Sequence, residues 1–234
     1  MASMDAQSLI ECWEHGRRRH TLDRALLLHA AADPAADPET LADRTLGERN
    51  AALLCLRQTL FGDALKSCVD CPECGERLEF ALSAAALLER APASDDRPAF
   101  VECRGRTLRL PTTRDLASVA NEPDEASATD KLLERLLADG APAELSVAAE
   151  ELTTALDAAD PCMDLGTDLT CPACEHQWSA TFDVPGFLWE EIDVRVRRLL
   201  DEVHTLARAY SWSEGEILAL SDTRRRAYLD RVMA

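Results

Sequence analysis

Apolar residues recur at helical spacing over both ends of the chain, and they alternate at period two in two short stretches between them. The N-terminal 66 residues read as helices over about 5–15, 20–32 and 47–61. Leu22, Leu26, Leu27 and Ala30 mark the second, with His29 on the same face. Leu53, Leu54, Leu56, Leu60 and Phe61 mark the third, which Gly62 ends. Asp33-Pro34 and Asp37-Pro38 break the pattern between them. The alternating stretches are Leu78, Phe80, Leu82 and Trp178, Ala180, Phe182, Val184, and each predicts a strand with one face buried. Both follow a Cys-Pro-x-Cys pair, and the match runs at an offset of 100 residues. The chain therefore contains an internal repeat, a tight cysteine turn running into a strand.

Between the repeats the pattern predicts a folded insertion. Residues 100–103 and 106–110 flank Arg104-Gly105, a hairpin signal. Thr112 with Asp115 forms a capping box for a helix over about 113–120. Two acidic amphipathic helices follow. One uses Leu132, Leu133, Leu136 and Leu137 and stops at Gly140. The other uses Leu145, Ala148, Ala149, Leu152 and Leu156 and ends at Asp160-Pro161. From Pro185 a long helix carries a narrow seam at Leu188, Ile192, Val196, Leu199, Val203, Leu206 and Tyr210. The seam is expected to pack on the strands or on a partner helix, the latter giving an oligomer through the C-terminal helix. Ser213 with Glu216 caps a short helix, and Ser221 caps a last one. The expected fold is mainly α with a small β zinc ribbon (α+β). Its segments are 1–66 (helical), 67–184 (ribbon, with the insertion over 83–170) and 185–234 (helical).

Charge changes this picture in one place. The chain carries 25 Lys plus Arg against 43 Asp plus Glu, net −18. Residues 120–170 hold thirteen acids and two bases, so most of the excess sits in the insertion. Such a balance argues against polyanionic partners, so neither nucleic acid nor a membrane surface is expected. The acidic helices are either a solvated face or a docking surface for a basic partner. The basic run Arg17-Arg18-Arg19 reads as a solvated patch, and Arg224-Arg225-Arg226 lies in the last helix. No apolar run approaches a membrane span, no signal-peptide order opens the chain, and a cytoplasmic location is expected.

The chemistry lies in the cysteines. Cys71, Cys74, Cys171 and Cys174 have the spacing of a four-thiolate zinc site. Four protein ligands leave no open position, so the zinc would be structural, one per chain, with loss of fold on chelation. The 96 residues between the pairs exceed the roughly 15–20 of an ordinary ribbon. A thiol redox pair, a zinc bridging two chains and four unligated core thiols stand as rival readings. A redox pair would want a helix after its cysteines, and strands follow here. Cys68 lies close enough in sequence to replace a ligand; Cys12, Cys55, Cys103 and Cys162 read as small buried residues. Gly75 follows the first pair, where a positive φ is often needed, but Glu175 follows the second. No phosphate-cradling glycine loop, nucleophile elbow or His-Glu-x-x-His is present, and the five histidines make no catalytic spacing, so no enzyme is expected.

Several blocks, taken in order, carry a likeness. They are Gly47-Glu48-Arg49-Asn50 leading to Phe61-Gly62-Asp63, Cys71 to Phe80, Arg109-Leu110-Pro111-Thr112 with Asp115-Leu116, Cys171 to Cys174, Leu188 to Ile192, Glu202 to Ala207, and Trp212-Ser213-Glu214 with Glu216 to Leu220. Together they resemble the baseplate-protein family named after the T-even phage baseplate hub assembly chaperone, whose zinc-knuckle members occur in phage-like contractile injection systems. The resemblance implies a non-enzymatic assembly factor or structural baseplate protein, with baseplate hub, spike or tube proteins as partners. Only the four cysteines are carried over, as metal ligands. The alternative is a zinc-ribbon adaptor in transcription or nucleic-acid handling.

Overall fold

The computed structural model describes residues 4–91, 97–138 and 149–232. It is mainly α-helical with three small antiparallel strand pairs, the fold class that the sequence predicts. Helices α1 (Ala6–Gly16), α2 (Thr21–Ala32), α3 (Pro38–Leu41) and α4 (Leu46–Phe61) come first. Asp5 caps α1 by accepting the Ser8 N–H (2.8 Å). A capping box of Thr45 and Glu48 starts α4. Gly62, at φ +85°, ends α4 in a conformation that a side chain would strain.

The first hairpin is β1 (Ala64–Asp70) and β2 (Arg77–Ser83), followed by the single turn α5 (Ala84–Leu88). Strand β1 crosses the boundary at 66 expected from the sequence. The second hairpin, β3 (Phe100–Cys103) and β4 (Arg106–Arg109), turns through Arg104 and Gly105, both at positive φ. Helices α6 (Thr113–Val119), α7 (Glu125–Leu136) and α8 (Ala149–Ala159) complete the insertion. Gly140, Leu145 and Ala148 lie outside the described residues. The third hairpin is β5 (Gly166–Thr170) and β6 (Gln177–Thr181). Then come α9 (Val184–Tyr210), α10 (Glu214–Leu218) and α11 (Asp222–Val232). Val184, expected to end a strand, instead opens α9.

The seam of α9 decides the architecture. Leu188, Ile192, Val196, Leu199 and Leu206 are all essentially inaccessible. They face α1, α2, α4, α10 and α11. The seam is thus consumed inside the chain, at neither of the two destinations expected for it. Its main neighbours are Leu9, Ile10 and Trp13 of α1, Leu28 of α2, and Leu53 and Leu54 of α4. At about 1.5–3 kcal/mol for each large side chain buried, this is the stabilising centre of the molecule. The insertion has a second, separate core of Leu108, Leu110, Leu133, Leu136, Leu137, Leu152 and Leu156. Its apolar faces are therefore spent on each other, and most of its described acids are exposed, Asp115 and Asp160 being buried.

Polar contacts join the two cores. The Leu46 N–H donates to the Pro111 carbonyl (2.9 Å), and Asn50 Nδ2 donates to the Cys162 carbonyl (2.9 Å). The Gly47 N–H donates to Asp160 (3.1 Å), a fully buried carboxylate that also pairs with Arg97 (3.4 Å).

Candidate metal centre

The two halves of the repeat fold alike down to their hydrogen bonds. In the first turn the Gly75 N–H donates to the Cys71 carbonyl (2.9 Å), and the Cys71 N–H to the Glu76 carbonyl (2.8 Å). In the second the Glu175 N–H donates to the Cys171 carbonyl (2.9 Å), and the Cys171 N–H to the His176 carbonyl (2.9 Å). Strand register repeats at the same offset: Val69 pairs with Leu78, and Leu169 with Trp178. The turn needs a left-handed residue after its second cysteine. Gly75 (φ +75°) supplies it freely, whereas Glu175 (φ +59°) does so at a cost of roughly 1 kcal/mol.

These turns bring four sulfurs together across 96 residues of chain. Cys71 Sγ lies 3.7 Å from Cys174 Sγ, and Cys74 Sγ lies 3.6 Å from Cys171 Sγ. All four lie within 4.8 Å of one another. In a tetrahedral metal–thiolate centre with bonds of about 2.3 Å, the sulfurs sit ~3.8 Å apart. The cluster therefore has the dimensions of a four-coordinate metal site. Cys71 and Cys171 are its buried ligands, and Cys74 and Cys174 its exposed ones. Although burial opposes it, N–H groups of Cys174 and Ala173 directed at Cys171 bring that thiol down to about 7. At Cys174 the His176 N–H favours ionisation, yet desolvation and contacts with the neighbouring thiols together push it up to about 12. One thiolate is favoured and the next is disfavoured, and a bound cation would relieve that crowding.

The other sequence-marked residues stand apart from this centre. Cys68 is exposed on β1 and accepts from Arg77 Nη2 (2.9 Å); it is not among the four. Cys12 and Cys162 are buried, as expected, and burial raises the Cys12 thiol to about 11. Cys103 is half-buried, but Cys55 is exposed on α4, contrary to expectation, because it faces away from the α4 residues that meet α9. His176 stacks on Trp178 and contributes only its backbone to the turn. Arg17, Arg18 and Arg19 are exposed at the end of α1. Arg225 of the last helix, by contrast, is buried and pairs with Glu202 (2.7 Å). Sequence reasoning had no signal for the buried polar residues Arg49, Asn50, Thr113 and Asp160, because Thr113 and Asp160 lie far in the chain from Arg49-Asn50.

Comparison with protein-family models, curated proteins and solved structures finds no match to this chain. Among the described residues no helix is long and apolar enough to cross a membrane.

Proposed function

We propose that the four-cysteine centre holds one structural zinc per chain, and that the protein is a non-enzymatic assembly factor or structural baseplate component of a contractile tail or injection system. The observation that carries the zinc reading is the sulfur spacing, 3.6 and 3.7 Å across the two turns. Cysteine supplies all four ligands, so the ion would hold two hairpins together and have no position for substrate. The zinc would lie within one chain, since both pairs already face each other within it. The baseplate reading is supported by the ordered sequence blocks quoted above. An acidic appendage with its own core gives such a protein a surface for a basic partner.

Co-purification with hub, spike or tube components from particle-producing cells tests the assembly role. A deletion strain that still builds complete, infective or injecting particles would end it. Binding to DNA or RNA that weakens with salt would favour the zinc-ribbon adaptor instead. Elemental analysis tests the metal separately, with one zinc per folded chain as the expected result.

A further inference from the structure

Among the described residues three arginines are buried, and only one of them meets no carboxylate. Arg57 pairs with Glu191 (2.7 Å), and Arg225 pairs with Glu202 (2.7 Å). Arg49 donates only to neutral oxygens. Its Nε (3.2 Å) and Nη2 (3.0 Å) reach Asn50 Oδ1, and its Nη1 (3.1 Å) reaches Thr113 Oγ1. A guanidinium has five N–H groups, so two remain to be used. A buried cation with no carboxylate bonded to it is costly; burial holds the Arg49 guanidinium down at about 10, and the through-space charge of Asp183 offsets this only in part.

Arg49 also lines a cavity of about 320 Å3 between α2, α4, α6 and the start of α9. That is the size of a small-ligand pocket. Trp189, Leu22 and Leu116 give it apolar walls. The N-terminus of α9 faces it, and Asp183 makes no side-chain cap there, so the positive end of a 27-residue helix adds to the field. Arg24, Asp183 and Glu190 also line the cavity; Arg24 lies over the Trp189 ring (4.8 Å), and the two acids are exposed, where water weakens the pull of Asp183 on the buried Arg49. These two acids disfavour a multiply charged anion such as phosphate. They tolerate a single carboxylate carried on an apolar group.

We infer that this cavity is a binding site for a monocarboxylate, with Arg49 as its cation and the Trp189 wall receiving the apolar part. A protein C-terminus and a free small acid share this chemistry. The inference does not depend on the metal or on the baseplate reading.

The test is a titration of the full, metal-loaded chain, read from the Trp189 indole N–H in two-dimensional NMR. The probes are N-acetyl-leucine as a chain-end mimic, isovalerate as a free acid, and N-acetyl-leucinamide as the uncharged control. Saturable binding of a carboxylate probe with Kd on the order of 1 mM or tighter is expected, and the amide should bind at least tenfold more weakly. Arg49→Lys keeps the charge but loses the fork, and should weaken binding about tenfold. Leu116→Trp fills the cavity from α6 while keeping Arg49, Asn50 and Thr113 themselves, and should abolish binding even if the Arg49 variant folds poorly. Tighter binding of N-acetyl-leucine than of isovalerate would assign the site to a chain end, and the reverse to a free acid. The inference is overturned if no carboxylate shifts the indole, if the amide binds equally well, or if Leu116→Trp leaves binding intact.

Discussion

At the scale of single residues, burial sets two sensitivities. His29 is fully buried on α2, and neither ring nitrogen has a hydrogen-bond partner. Burial, then the charges of Arg44 and Arg49, bring its pKa down from 6.5 to about 4. Above pH 6.5 the ring is neutral in both folded and unfolded chains and costs nothing. As pH falls from 6.5 towards 4, the unfolded chain takes a proton that the folded one refuses. Stability is therefore lost in that window, by up to about 1.4 kcal/mol per pH unit. Urea midpoints measured from pH 7.5 to 4.5 should fall, and His29→Leu should flatten the difference. An unchanged slope in the variant would remove His29 as the cause. Gly47 is the second case. A Cβ there would lie well inside contact distance of the Asp160 carboxylate. Gly47→Ala should cost about 2–4 kcal/mol by displacing a buried charge from its partners. Gly215→Ala, with nothing near the added atom, should be neutral or slightly stabilising. Thermal unfolding of the two variants, side by side, checks the contrast.

At the scale of elements, local signals and distant contacts divide the work. Asp115 was legible as half of the capping box with Thr112, and that box starts α6. Its second role was not. Arg109 and Arg135 both donate to it (2.6 Å each), tying β4 and α7 to the helix start. Burial opposes its ionisation, but the hydrogen bonds from Arg109, Thr112 and Arg135 win and hold the carboxyl well below the usual range. Asp115→Asn should leave both arginines unpaired and loosen the insertion by about 2–4 kcal/mol. Hydrogen exchange should quicken over 100–137 while α9 stays protected. Similar logic explains what the pattern reached. Caps, the Arg104-Gly105 turn and the α9 seam depend on neighbours within a few residues, so the sequence displays them directly. Strands β1 and β5 were missed because polar Ser67 and Thr167 occupy the half-buried face that an alternation test expects to be apolar. The partner of the α9 seam could not be read, since a stripe of apolar residues shows that a face is buried but not against what. The positive φ at Glu175 was legible only through the repeat, by comparison with Gly75.

At the scale of the whole molecule, the four-cysteine cluster and the hydrophobic core are largely separate devices. The sequence suggests that chelation would unfold the chain. Yet most of the large core comes from α1, α2, α4 and α9; of the paired strands only Leu65 is buried within it, with Ala84, Leu87, Leu165 and Phe182 at the hairpin bases. Beyond the cysteine turns, the pairs β1–β2 and β5–β6 make no extended contact with each other. Isolated two-stranded hairpins are marginal in water, so these two depend on what clasps them. Removing the ion should therefore melt 64–83 and 166–181 and leave the helical body standing. Circular dichroism should retain most of its helical signal after chelation, while hydrogen-exchange protection collapses in both hairpins together. Cys71→Ser and Cys171→Ser should reproduce that pattern equally, because each removes a buried ligand of the same centre. Unequal effects would mean that the two turns do not share one ion. A cooperative loss of all helix on chelation would mean that the hairpins support the core more than their few buried residues indicate. The expected split fits the way the acidic insertion is attached, since its ends leave and re-enter through the two clasped hairpins. A clasp at that neck holds the second core beside the first, and releasing it should leave the insertion anchored through its contacts with the N-terminal helices, among them Leu46 to Pro111, Gly47 to Asp160, Arg49 to Thr113 and Asn50 to Cys162.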